Sequence, residues 1–266
     1  MTSHRQRNDA PRPNSGGRKK PFHRGPARPA DTSPGEWLWG SHAVEAALKA
    51  GKREVLRALA TADRARGLQA AYPGLRVEVM ESGALGQTLP QNAVHQGIAI
   101  KATALEPLSI EEIGAPAKGV LLMLDQVTDP QNVGAIFRSA AAFGARGVIL
   151  QDRHAPALAG ALAKAAAGAV DLIPHARVVN LSRALERLAD LGWRTVGLDS
   201  AADGSLGEVL DGRPTVLVMG SEGEGLRRLV AEHCDAMATI PMPGGFESLN
   251  VSAAAAVALY EASRPR

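Results

Sequence analysis

Cysteine is almost absent from this 266-residue chain, Cys234 being the only one. A disulfide framework within the chain is therefore excluded, a cysteine-built metal site is disfavoured, and a reducing compartment, the cytoplasm, is expected. Aromatic residues make up 3% of the chain, too few for an extended platform on which bases could stack. No apolar run approaches the roughly 20 residues of a membrane-spanning helix; the longest strand-like run is Val120 to Leu124. A soluble protein without a membrane partner is expected. Acidic residues are nearly missing from the first thirty positions, where eight Lys/Arg stand against Asp9 alone. Transit peptides share that bias, but Pro11, Pro13, Gly16, Gly17, Pro21, Gly25, Pro26 and Pro29 forbid an amphipathic helix. Residues 1–35 read as a disordered basic arm. Without residues 1–30, the body holds 22 basic and 26 acidic residues, so the surplus of positive charge belongs to the arm. Such an arm adds salt-sensitive affinity for phosphates to a site made elsewhere.

A hydrophobic content of 45% is enough for two modest cores. After the arm, Gly40-Ser41 precedes a short helix with Val44, Ala47 and Leu48 on one face and Gly51 at its end. Strand-like pieces follow at Val55–Ala58, Val77–Val79 and Ile98–Ala102, with a helical stretch over Thr61–Ala71. Residues 36–106 form a small α/β domain on this reading. Residues 107–118, with Pro107, Gly114 and Pro116, read as a linker. Over 119–266, apolar runs at 120–124, 147–150, 169–173, 193–198, 215–219 and 237–240 alternate with helical patterns. Those patterns cover Val133–Phe143, Ala157–Ala167, Leu181–Leu191, Leu226–His233 and Val251–Ser263. The alternation implies an α/β fold, a parallel sheet covered by helices. Asn180 is placed to cap the third helix, and Gly144 and Gly192 to end the first and third.

In such sheets ligands gather where strands end and loops begin. Three of these loops are unusual. The first, Asp125 to Gly134, leads into a helix that carries Arg138 six positions beyond Asn132; from the second turn Arg138 can reach an anion held by the loop. The second has glycines at 220, 223 and 225, a G-x-x-G-x-G spacing that lets a ligand come close to backbone. That is not the fingerprint of dinucleotide enzymes, and Glu222 and Glu224 would repel a pyrophosphate. The third, Ile240 to Ser252, sets Ser248, Asn250 and Ser252 across the start of an alanine-rich helix, where small polar groups hold a ligand or simply cap the helix.

Taken together, NVGAIFRSA (132–140), LVMGSEGEGL (217–226) and IPMPGGFESLNVSAAAAV (240–257) resemble, in order, the three motifs of the SpoU/TrmH family of RNA ribose 2′-O-methyltransferases. WGSHAVEAAL (39–48) and NAVHQGIAI (92–100) resemble that family's small substrate-binding domain. Within the family, the arrangement is most similar to the bacterial guanosine 2′-O-methyltransferases of 23S rRNA. The resemblance implies a SPOUT-type α/β fold, with a trefoil knot over the second and third motif regions, and a homodimer. It implies S-adenosylmethionine as cofactor, with Gly220, Ile240 and Leu249 at its binding positions. It further implies Arg138 as the central catalytic residue, supported by Asn132, Glu222, Ser248 and Asn250. In the small domain Gly40, His42, Asn92, His95 and Gln96 are the candidate RNA contacts, since such side chains bond phosphate, 2′-OH and base edges.

Three other readings compete. A nicotinamide oxidoreductase also uses a parallel sheet and a glycine loop, but its fingerprint is missing. A catalytically silent RNA-binding protein could keep the same fold. A tRNA rather than an rRNA ribose could be the target.

Overall fold

Strand periodicity in the sequence becomes two separate sheets. The computed structural model describes residues 34–221, 223–245 and 248–264; the basic arm expected over 1–35 lies almost wholly outside them. In chain order the elements are β1 (Glu36–Trp39), α1 (Ser41–Ala50), β2 (Val55–Ala60), α2 (Ala62–Ala71), β3 (Val77–Val79), α3 (Ser82–Thr88) and β4 (Ile98–Ala102), then α4 (Ile110–Gly114). There follow β5 (Val120–Leu124), α5 (Pro130–Ala142), β6 (Gly147–Gln151), α6 (Gly160–Ala165), α7 (Ala169–Leu172), β7 (His175–Val178) and α8 (Leu181–Asp190). The chain continues with β8 (Arg194–Leu198), α9 (Leu206–Val209), β9 (Thr215–Met219), α10 (Arg228–Glu232), β10 (Ala236–Ala238) and α11 (Val251–Ser263).

The smaller sheet runs β1-β4-β2-β3, with β4 antiparallel to both neighbours and β2 parallel to β3. The larger sheet runs β10-β8-β9-β5-β6-β7 and all its pairings are parallel. Alternate side chains of its central strands feed two cores. Leu122, Leu124, Leu217 and Met219 pack with residues of α5, α6, α9 and α11. Leu121, Met123, Val216 and Val218 pack on the other face with residues of α4 and α8. Helices therefore cover both faces, as the alternation of runs requires.

Local signals place the helix ends. Asn180 caps α8, its side chain accepting from the Arg183 N–H, and Gly51, Gly144 and Gly192 adopt left-handed φ values just past helix ends. Asp129 accepts from the Asn132 N–H at the start of α5, with Pro130 in the first turn. Close packing of α5 on α6 depends on Gly134, where a Cβ would stand 2.5 Å from the Leu162 carbonyl oxygen and 2.7 Å from the Ala165 Cβ.

Two segments differ from expectation. Residues 169–173 are not a strand: Ala169–Leu172 form α7, and the edge strand follows as β7, His175–Val178. A short apolar run fits a buried helical turn as well as a strand, and here Asp171 within it is buried against the smaller sheet's side of the molecule. Its carboxylate accepts from Arg53 Nε at 2.7 Å, while Arg53 Nη2 donates to the Leu158 carbonyl at 2.7 Å and Nη1 to that of Thr103 at 3.3 Å. Arg53 thus fastens the smaller sheet to the larger. Nor is the expected linker slack. It contains α4, capped reciprocally by Ser109 and Glu112, and the Leu108 N–H donates to the His175 carbonyl at 2.8 Å. Ile113 is buried in the core beneath α8. No helix among the described residues is long and apolar enough to cross a membrane.

Candidate active site

The C-terminal ends of β8, β9 and β10 open into a cavity of about 610 Å³. Each of these strands stops where the chain turns polar or glycine-rich: Asp199-Ser200 after β8, Gly220-Ser221 after β9, Thr239-Ile240 after β10. The third loop closes the cavity with Ser248, Leu249 and Asn250, and Val251 and Ala254 of α11 form part of its wall. Gly220, Ile240, Leu249, Ser248 and Asn250 are thus brought to one place from positions up to thirty residues apart in the chain.

Asn250 is the pivot of this corner. As the N-cap of α11, its Oδ1 accepts from the Ser252 N–H at 3.0 Å and from the Ser252 hydroxyl at 2.6 Å. Its Nδ2 donates to Asn132 Oδ1 at 3.0 Å, which ties the third loop to the start of α5 across 118 positions. Capping and site-building are the same interaction here. The cavity-side amide is fixed because the helix consumes the other half of the side chain.

Gly220 lines the cavity and also meets a need within its own loop. A Cβ at this position would collide with the backbone of Gly225. The close contact closes the loop on itself, and Ser221 and Gly225 exchange N–H to carbonyl bonds at 3.2 and 3.1 Å. Glycine is required for the loop to exist in this shape, and the cavity wall follows from that.

Arg138 is exposed on α5 and is absent from the cavity's lining. Glu222 lies outside the described residues. Electrostatically the lining is one-sided, since Asp199 and Glu224 are its charged members and no lysine or arginine is found among its described residues. A pyrophosphate would be repelled there, and a cationic group would be favoured.

Of the RNA candidates in the smaller sheet's unit, Gly40, His95 and Gln96 come together. Gln96 Oε1 accepts from the Ser41 N–H at 3.1 Å, and His95 Nδ1 accepts from the Gly97 N–H at 3.1 Å. Asn92 and Gln96 hold left-handed φ values of 64° and 54°, uncommon for residues with a Cβ. Partial burial, aided by the Lys164 ammonium, pushes the His95 pKa down. Lys164 arrives from α6 and donates to the Val94 carbonyl at 2.6 Å. His42 faces elsewhere, lining a second cavity of about 530 Å³ between α1 and α2. Reading the sequence by its three unusual loops missed Lys164, Asp199 and Thr239. The last two were findable, for they also follow strand-like runs; Lys164 gave no signal, because only the fold sets α6 against residues 94–96. No group of His, Cys, Asp and Glu among the described residues could hold a metal ion.

The model of the SpoU rRNA methylase family matches residues 119–260, the larger sheet with its three loops. The chain belongs to the SpoU family. A second model, described as RNA 2′-O ribose methyltransferase substrate binding, matches residues 37–108. Among SpoU-type relatives, an "Uncharacterized tRNA/rRNA methyltransferase" of Synechocystis sp. is 40% identical over 241 residues, covering 86% of this chain and 62% of that protein. Another of the same printed name, from Mycolicibacterium vanbaalenii, is 43% identical over 180 residues, covering 66% and 57%. The chain thus spans roughly three fifths of the length of these curated relatives. The SpoU methyltransferase AviRb of Streptomyces viridochromogenes, solved in complex with the cofactor AdoMet, superposes with a TM-score of 0.74 at 27% identity, covering 86% of this chain and 89% of that one. An AdoMet-bound rRNA methyltransferase of Sinorhizobium meliloti gives 0.71 at 27%, covering 85% and 86%. The α/β fold of this SpoU chain is therefore that of known methyltransferases.

Proposed function

We propose that this chain is an S-adenosylmethionine-dependent RNA 2′-O-ribose methyltransferase acting on a guanosine of 23S rRNA in the cytoplasm. One observation carries the reading: residues of the second and third motifs line one cavity, and the Asn132–Asn250 hydrogen bond ties the start of the first motif to its wall. The cavity fits the cofactor. Its volume is that of a small-molecule site, Ile240 and Leu249 offer apolar walls for an adenine, and Asp199 and Glu224 suit a cation while opposing a dinucleotide. S-adenosylmethionine, when bound, supplies a methyl group activated by its sulfonium.

The chain's own residues then have defined tasks. Asn132 and Asn250 orient the ribose, and Ser248 extends their hydrogen-bond network. Arg138 stabilises the negative charge that develops on the 2′-oxygen, with Glu222 orienting it. A guanidinium cannot serve as the base, because it is not deprotonated in proteins, so the proton passes to water or an RNA phosphate. Residues 119–266 form the catalytic domain, knotted through the second and third motif regions, and residues 36–106 bind RNA through Gly40, His42, Asn92, His95 and Gln96, with the arm adding phosphate affinity. A homodimer is supported by α11, an alanine-rich helix that leaves Val257 and Tyr260 42% and 56% exposed on one side.

The experiment is incubation with labelled methyl donor and total RNA from a strain lacking the gene, followed by mapping of ribose methylation. A 2′-O-methylguanosine in 23S rRNA is expected. Label in tRNA instead would transfer the assignment to the tRNA reading, and RNA binding without label would favour a silent binding protein.

A further inference from the structure

Resting on the reading of the cavity as the methyl-donor site, we propose that Asp125 is a positioning residue for the donor-binding loop, acting through Arg227. Asp125 stands at the C-terminal end of β5 and is fully buried. It touches both ends of the glycine loop that walls the cavity. On the entry side its N–H donates to the Met219 carbonyl at 2.8 Å, in register with the β5–β9 pairing. On the exit side its carboxylate grips Arg227 twice, Oδ2 accepting from the backbone N–H at 3.0 Å and Oδ1 from Nε at 2.8 Å. Residues 219 and 227 are therefore fastened to one residue, and the segment between them is set at its base before it folds back through the Ser221–Gly225 pair.

Physical chemistry favours registration over stability as the reason for this arrangement. The carboxylate is removed from water while its guanidinium partner remains 44% exposed, and a pairing that desolvates one ion fully gives little net stabilisation. What it does give is geometry, since an acceptor with two oxygens in fixed positions sets both the backbone and the side chain of Arg227. Asp125 does not line the cavity. It acts on the donor only through the wall that it holds.

The test uses the full chain with Asp125→Asn and Arg227→Gln, singly and together. Calorimetry with S-adenosylmethionine should show affinity weakened about tenfold or more in each single variant, as when other supporting contacts of a site are lost. The double variant should be no weaker than the worse single one, because the two residues act as one unit. Hydrogen exchange on the free protein should show the Ser221 and Gly225 amides losing protection in each variant, with affinity for RNA unchanged. Folded variants that keep wild-type donor affinity and wild-type exchange would overturn the proposal. If either single variant fails to fold, the double variant, which leaves no buried charge without its partner, decides in its place. Wild-type protein that takes no donor overturns the functional reading beneath the proposal, and the exchange experiment then separates that failure from failure of the clamp itself.

Discussion

A single side chain, Asn250, shows how much of the candidate site rests on individual residues. Its side-chain oxygen caps the start of α11 and its side-chain amide reaches Asn132, so neither half can be exchanged independently. Arg138 is the contrasting case, exposed and apart from the cavity. Arg138→Ala should therefore leave donor affinity unchanged in calorimetry while slowing methyl transfer on the order of 100-fold, the usual consequence of losing a group that acts on developing charge. Turnover retained in single-turnover assays would remove Arg138 from its assigned role. Gly220 behaves oppositely. Even Gly220→Ala places a Cβ into the Gly225 backbone, so donor binding should be lost without any change to a polar contact, and unchanged affinity would mean that the loop tolerates reopening. Asn132, Ser248 and Asn250 stand out in the sequence as polar residues of unusual loops that the family resemblance singles out, and the structure joins Asn132 to Asn250 and sets Ser248 and Asn250 on the cavity. The reason for Gly220 is not legible there, because an internal collision between residues five apart depends on a loop conformation that spacing does not specify.

Among elements, the pairing of α5 with α6 is the most exacting, and it turns on Gly134. Gly134→Val should push the two helices apart, costing about 1–3 kcal/mol in chemical denaturation as overpacking of a close contact does. Because Asn132 lies one half-turn earlier, activity should fall with stability. The exposed side of α11 makes a second expectation. Tyr260→Glu, placed on the proposed subunit contact, should shift the protein to a monomer in sedimentation experiments, and an unchanged dimer would move that contact elsewhere. Element identities are legible wherever a run is flanked by turn residues, as at β5, β9 and α11. They fail at 169–173, where four helical residues are too few to show a period and Asp171 gives no hint of its buried partner. They fail again at 107–118, where proline and glycine suggest slack but Ser109 and Glu112 form a capping box, a local signature that the turn residues around it mask.

At the scale of the whole molecule, stability should carry a pH signature from His175. Burial first, then the nearby Arg177, Arg53 and Lys52, push its pKa from 6.5 down to about 4, and its Nε2 has no hydrogen-bond partner among the described residues. The folded chain holds this imidazole neutral, whereas the unfolded chain protonates it below about pH 6.5. Stability is therefore undiminished above that pH and falls between roughly pH 6.5 and 4, by up to about 3 kcal/mol. Denaturation series across this window should show the slope in the native sequence and not in His175→Gln; an equal slope in both would assign the dependence to other groups. Two sheets of different character are foreseeable from the two zones of hydrophobic runs, but their attachment is not, because it hangs on a buried guanidinium contributed by a loop.

That attachment has a consequence for what the molecule can grasp. With Arg53 seated among Asp171, Leu158 and Thr103, the patch around Gly40 and Gln96 sits at a set span from the cavity at the ends of β8, β9 and β10, like the two points of a locked caliper. On the proposed function, an RNA would qualify by the distance between two of its own features, and a flexible strand carrying the right nucleotide alone would engage only one point at a time.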